Sequence, residues 1–228
     1  MKKTRYIAVG ILMTSIIVGF CICYYFFQDP FYFIRPGTSI ERIENNSDKD
    51  KDGIPDQDDI ILGARKEVEN KTKYKSTYYE EAYPPENEGV CTDVIWRALK
   101  EAGYDLKYSM DIDIKENLWR YWKAIDKADP NIDFRRVKNQ YIFFNDHEQN
   151  LTLKVMPQNK QNLIEWQGGD IVVLQNPDHV AIISDKRRRD GVPYVIHNSS
   201  TIPKENDRLM EWYKGKRIIG HFRYLGSN

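Results

Sequence analysis

Apolar positions recur at helical spacing just after Cys91. Val94, Ile95, Ala98, Leu99 and Ala102 fall on one face, and Gly103 is the expected stop. Further helical patterns lie at about 58–70 and about 111–126. From about residue 140 the texture changes to short β-rich runs: "YIFFN", "LTLKVM", "GDIVVLQ", "HVAIISD", "PYVIHNS" and "RIIGHFRY". Helices first and a meander of strands afterwards predict an α+β domain with an antiparallel sheet.

The N-terminus follows a different pattern. Lys2, Lys3 and Arg5 precede a run from Tyr6 to Phe27 that carries no charge. Roughly 20 apolar residues cross a bilayer core, and the basic flank marks the cytoplasmic side. No A-x-A cleavage pattern follows, so the segment is expected to stay as a signal anchor. The predicted organisation is a cytoplasmic tail at 1–5, a transmembrane helix at 6–27 and a linker at 28–47. An acidic loop at 48–59 and an extracellular domain at 60–228 complete it. Lys plus Arg and Asp plus Glu both number 34, which removes any electrostatic case for nucleic acid.

The acidic loop, "DKDKDGIPDQDD", has its own periodicity. Asp48, Asp50, Asp52, Asp56 and Asp59 occupy positions 1, 3, 5, 9 and 12 of a twelve-residue loop. Gly53 stands at the sharp turn and Ile54 can offer its carbonyl at position 7. This is the spacing of oxygen ligands in a calcium loop, and it resembles the loops of dockerin and thrombospondin type 3 repeats. Position 12 is Asp rather than Glu, and no clear helix leads in. A structural calcium ion is expected, pinning the linker to the domain, and no organic cofactor. The alternative is a solvated acidic linker whose carboxylates cap the next helix.

Cys91 is the one cysteine beyond the N-terminal segment. Outside the cytoplasm cysteines usually pair, so a lone thiol is either buried and inert or reactive. Its place in the first turn of a helix favours the thiolate. A thiol nucleophile wants a base. His147 lies in a polar stretch, and His221 lies in the last strand. His179 opens "HVAIIS" and His197 closes "PYVIH", so these two flank a hairpin tipped by "KRRRDG". A five-residue tip over 186–190 places them opposite each other on one face. A two-residue turn at Asp190-Gly191 would turn them to opposite faces. Zinc on Cys, His and His is the competing chemistry, but there is no local pair such as C-x-x-C. Arg135 and Arg136 either grip a substrate carboxylate or bind a buried acid.

A cysteine opening a helix, then "GDIVVL", "HVAIIS" and "VIHNSS", resembles the NlpC-type papain-like cysteine peptidases of bacterial cell walls. The set "ARKEV", "YPPENEGVCTDVIWRAL", "NIDFRRV", "WQGGDIV", "HVAIISDKRR", "VIHN" and "GHFR" is similar to a bacterial family catalogued as domain of unknown function 1287, over about residues 62–224. The NlpC resemblance implies a papain-like domain, helix-first, on an antiparallel sheet. It implies Cys91 as nucleophile, His179 as base and His197 as the residue orienting it. Tyr83 corresponds in position to a tyrosine upstream of the NlpC cysteine, a candidate for the oxyanion. "VCTD" stands where "DCSG" is usual. The function implied is amide hydrolysis in peptidoglycan or another wall peptide. The alternatives are a non-catalytic wall-binding scaffold, or a thiol acyltransferase or thioesterase.

Overall fold

A computed structural model describes residues 2–27 and 37–226. The chain divides into two compact units, Met1–Thr38 and Ser39–Asn228. In the first, α1 runs over Lys2–Phe27. The side chains of residues 2–5, 7, 8, 23 and 25–27 and all of 28–36 lie outside the described residues. Among the described residues no helix is long and apolar enough to cross a membrane. The anchor at 6–27 therefore has no support from the fold and rests on the sequence.

The second unit begins with chain expected to be linker. Ile40 packs against the core, and the Ile43 N–H donates to Gln167 Oε1 at 3.2 Å. Helices α2 (Asp56–Glu69) and α3 (Cys91–Glu101) flank a small parallel pair, β1 (Lys73–Tyr74) and β2 (Glu88–Gly89). Helices α4 (Leu106–Asn117) and α5 (Val137–His147) follow. After them come β3 (Gln149–Asn150), α6 (Lys160–Leu163), β4 (Ile171–Leu174), β5 (His179–Arg187) and β6 (Pro193–His197). The chain ends with β7 (Lys204–Asn206), α7 (Leu209–Lys214) and β8 (Ile218–Arg223). The sheet order is β3-β8-β4-β5-β6-β7, with every pair antiparallel. This is the expected α+β class.

The middle of the sheet is apolar on both faces because both faces are covered. Ile171, Val173, Val180, Ile182 and Ile196 join Val94, Ile95 and Leu99 of α3 in one core. Val172, Leu174, Ala181, Ile183 and Val195 join Trp166, Leu209 and Trp212 in a second. Alternation along each strand sorts its residues between the two.

Three expected elements differ. "YIFFN" is helical, within α5: Phe143 and Phe144 are buried, and Val137 and Tyr141 pack beside them at helical spacing. "LTLKVM" has no regular secondary structure, and its one link to the sheet backbone is the Leu151 N–H bond to the His221 carbonyl. The helix expected at 111–126 starts earlier and ends at Asn117. Asp105 caps it, its side chain accepting the Tyr108 N–H at 2.9 Å.

The β5–β6 hairpin settles the register. Arg187 pairs with Pro193, so the tip is five residues, but at 188–192 rather than 186–190. A shift between Ile183 and Arg187 then sets Ile182 opposite Ile196. His179 and His197 thus share a face as expected. They are diagonal along the strands, not directly opposite: the tip at 188–192 shifts the register by four residues and the irregularity takes back two, both even.

Candidate active site

The first turn of α3 is held from several sides. Asp93 Oδ2 accepts the Val90 N–H at 2.7 Å, and Oδ1 accepts Trp96 Nε1 at 2.8 Å. Arg135 completes this network: Nε donates to Oδ1 at 2.7 Å and Nη2 to Oδ2 at 2.9 Å, both side chains being buried. The loop leading to Cys91 is fixed by Arg97, whose Nη2 donates to the carbonyls of Pro85 and Glu88. Asn198 adds to this through Nδ2, which reaches the carbonyls of Thr72 and Gly89.

Cys91 sits at this turn with 7% of its surface exposed. Burial pushes its thiol up to about 11, outweighing the backbone N–H groups of Val180, Thr92 and Cys91 that reach the sulfur. The expected lowering by the helix start is present, and it loses to desolvation. Val180 directly follows His179 and faces the first core with Cys91, whereas the His179 ring turns to Trp212 and the second core, and no hydrogen bond joins it to the thiol among the described residues.

His179 Nε2 and His197 Nδ1 are 2.9 Å apart, and His197 Nε2 is 3.2 Å from Asn206 Oδ1. Trp212 packs edge-on against both rings. The Asn206 oxygen can only accept, so His197 carries its proton on Nε2 and offers a lone pair at Nδ1. His179 must then donate from Nε2, which leaves its Nδ1 unprotonated. Burial lowers His179 to about 3, with the charge of His197 next in effect. Burial also lowers His197 to about 4, against the Asn206 hydrogen bond that raises it. Both rings are neutral at pH 7, and the relay selects the tautomer.

Other candidates fall elsewhere. Arg135 binds the buried acid Asp93, and Arg136 lies 3.5 Å from Asp133. Tyr83 packs against Trp96 and Phe134, where it lines a cleft of about 560 Å³ with Tyr104 and Leu106. The tyrosine in electrostatic range of the thiol is Tyr74, raised first by burial and then by charge at Cys91 and Asp93. Tyr74 and Asn206 carried no motif in the sequence. The first follows from the β1–β2 pairing, the second from β7 lying beside β6. His221 is structural: it stacks on Trp166, and its Nδ1 meets the Thr152 carbonyl.

In the acidic loop, Asp48, Asp50 and Asp52 bring carboxylate oxygens within 4.8 Å of one another. Gly53 takes φ +95°, as a sharp turn at that position needs. Asp56 departs from the expected ligand set. Its carboxylate is taken up by Ser47 Oγ at 2.6 Å, the Lys49 N–H at 2.7 Å and Tyr104 Oη at 2.6 Å. Asp59 is buried, and its carboxyl is raised to about 6 by desolvation and by the charges of Asp52 and Asp50.

Comparison with known proteins agrees with the span read from the motifs. Residues 61–224 match the family described as a domain of unknown function (DUF1287). The "Uncharacterized protein YijF" of Escherichia coli (strain K12) is 36% identical over 176 residues, covering 73% of this chain and 80% of that protein. A match across most of the second unit, Cys91, both relay histidines and Asn206 included, places this chain in the DUF1287 family.

Proposed function

We propose that this protein is a thiol hydrolase of amide bonds, built on an NlpC-type papain-like domain. Residues 6–27 would anchor it in the membrane with the domain outside, where peptidoglycan peptides are the amides at hand. The observation that carries this reading is the relay from Asn206 through His197 to His179, which leaves His179 Nδ1 as a proton acceptor. The Cys91 sulfur meets the Val180 N–H in the first core, whereas the His179 ring packs on Trp212 in the second, so the reading requires His179 to swing about the strand end to reach the thiol.

In this reading the resting pair is neutral thiol and neutral imidazole. Cys91 Sγ bonds to the carbonyl carbon as its proton passes to His179 Nδ1. The carbonyl oxygen takes the negative charge and meets the Cys91 N–H at the helix start. Collapse breaks the C–N bond, and the proton on His179 leaves with the amine. Water then cleaves the thioester, His179 taking and returning a proton.

A non-catalytic wall-binding scaffold is the second reading, and the burial of the thiol favours it. Alkylation of Cys91 by iodoacetamide, followed by peptide mapping of the full chain across pH, separates the two. Hydrolase chemistry requires a labelling rate at pH 7 that falls by about a hundredfold or more in His179→Ala. Labelling that rises only near pH 11 and ignores His179→Ala would sink the hydrolase.

A further inference from the structure

The loop of residues 48–59 contains an imbalance that its own hydrogen bonds do not relieve. Asp48, Asp50 and Asp52 converge within 4.8 Å. Asp59, on the first turn of α2, is only 2% exposed, and its Oδ2 is a buried carboxylate oxygen with no hydrogen-bond partner. The charges that act most on it are Asp52 and Asp50, followed by Glu101 and Asp56, all of them acidic. Leaving a buried carboxylate oxygen unpaired beside like charges is strongly unfavourable, so such groups are paired or bind metals.

The cations that the structure pairs nearby are directed elsewhere. Arg42 holds Asp58 at 2.8 Å, Lys66 holds Glu101, and Lys49 lies over the Tyr104 ring. We propose that this loop is a calcium site whose carboxylate ligands are the converging Asp48, Asp50 and Asp52, joined by Asp59, whose carboxylate stands outside that cluster and closes on the ion. Asp56 is the clamp that ties the loop to Tyr104. An all-oxygen donor set of high charge selects a hard cation over zinc, and a loop with ligands spread over twelve residues suits calcium better than the strict octahedron of magnesium. The carbonyl of Ile54 completes the set by its place in the loop.

The site's position gives the ion a mechanical role. A Cβ on Gly103 would lie 2.9 Å from the Asp50 Cβ, so the loop rests on the chain end of α3, the helix that starts at Cys91. Calcium would join the loop, the first turn of α2 and that helix end into one body. This inference stands independently of whether Cys91 is catalytic.

The test is calorimetric titration and thermal melting of the chelator-stripped full chain in detergent, with CaCl2 and MgCl2 as probes. Calcium should raise the melting midpoint with a dissociation constant between about 10⁻⁶ and 10⁻³ M, and magnesium should bind more weakly. Asp59→Asn should weaken calcium at least about tenfold, because ligand charge sets affinity in such loops. Asp58→Asn, whose carboxylate is paired with Arg42, should leave affinity within about twofold. If Asp59→Asn fails to fold, Asp52→Asn at its exposed position carries the same expectation. Absence of heat and of any melting shift up to about 10 mM calcium would overturn the site. Wild-type affinity in Asp59→Asn would overturn it equally, showing Asp59 to be a protonated buried acid.

Discussion

Replacing Arg135 by methionine tests what holds the start of the Cys91 helix. The guanidinium makes two bonds to Asp93, at 2.7 and 2.9 Å, and a third from Nη1 to the Thr77 carbonyl at 2.9 Å. It also lies over the Tyr79 ring. Methionine restores much of the volume and none of the charge. Asp93 would keep the Val90 and Trp96 N–H groups, but as an uncompensated buried carboxylate. Removing one partner of a buried pair typically costs about 3–5 kcal/mol. Against a total of about 5–15 kcal/mol, that is a large share of the fold. For a domain of this size it corresponds to a melting point lower by about 6–20 °C. The assay is urea unfolding of wild type, Arg135→Met, Asp93→Asn and the double variant. The double variant should recover part of the loss, because neither charge is then left alone. A single-variant cost under about 1 kcal/mol, or additive single effects, would refute the reasoning.

Two further outcomes follow from the geometry. The imidazoles of His179 and His197 are held below 6.5, at about 3 and about 4. Between those values and 6.5 the unfolded chain binds protons that the folded chain does not. Stability is therefore complete above about pH 6.5 and falls toward pH 4, by up to about 1.4 kcal/mol per unit and histidine. Urea unfolding against pH should show a shallower acid slope in His179→Gln/His197→Gln, and an unchanged slope would count against the buried neutral pair. Gly103→Ala forces a side chain into φ +77° and toward Asp50. It should cost about 1–2 kcal/mol and about 2–8 °C in melting, and an unaltered melting point would show that the contact yields.

The helix at Cys91 was legible because Val94, Ile95, Ala98, Leu99 and Ala102 keep one period and Gly103 ends it. Helix α5 was not, because Tyr141, Phe143 and Phe144 suit a strand as well as a helix when read over five residues. The pairing of His179 with His197 could be posed as a register question but not answered, since the irregularity between Ile183 and Arg187 has no local signature. Asn206 belongs to the relay only because β7 lies beside β6, which is a long-range fact. The thiol shows the limit most clearly. Its helix position argues for a low pKa, while burial at the end of β5 raises it. The sequence shows the first influence and not the depth.

The sheet ends in strands of two and three residues, β3 and β7. On β7, Glu205 is tied to Arg65 and to Lys186. Borders this short, one of them charged, give a second molecule almost no row of open backbone groups on which to add a strand. Chains crowded side by side on one surface would therefore stay separate, although each contains a core of continuous apolar strands.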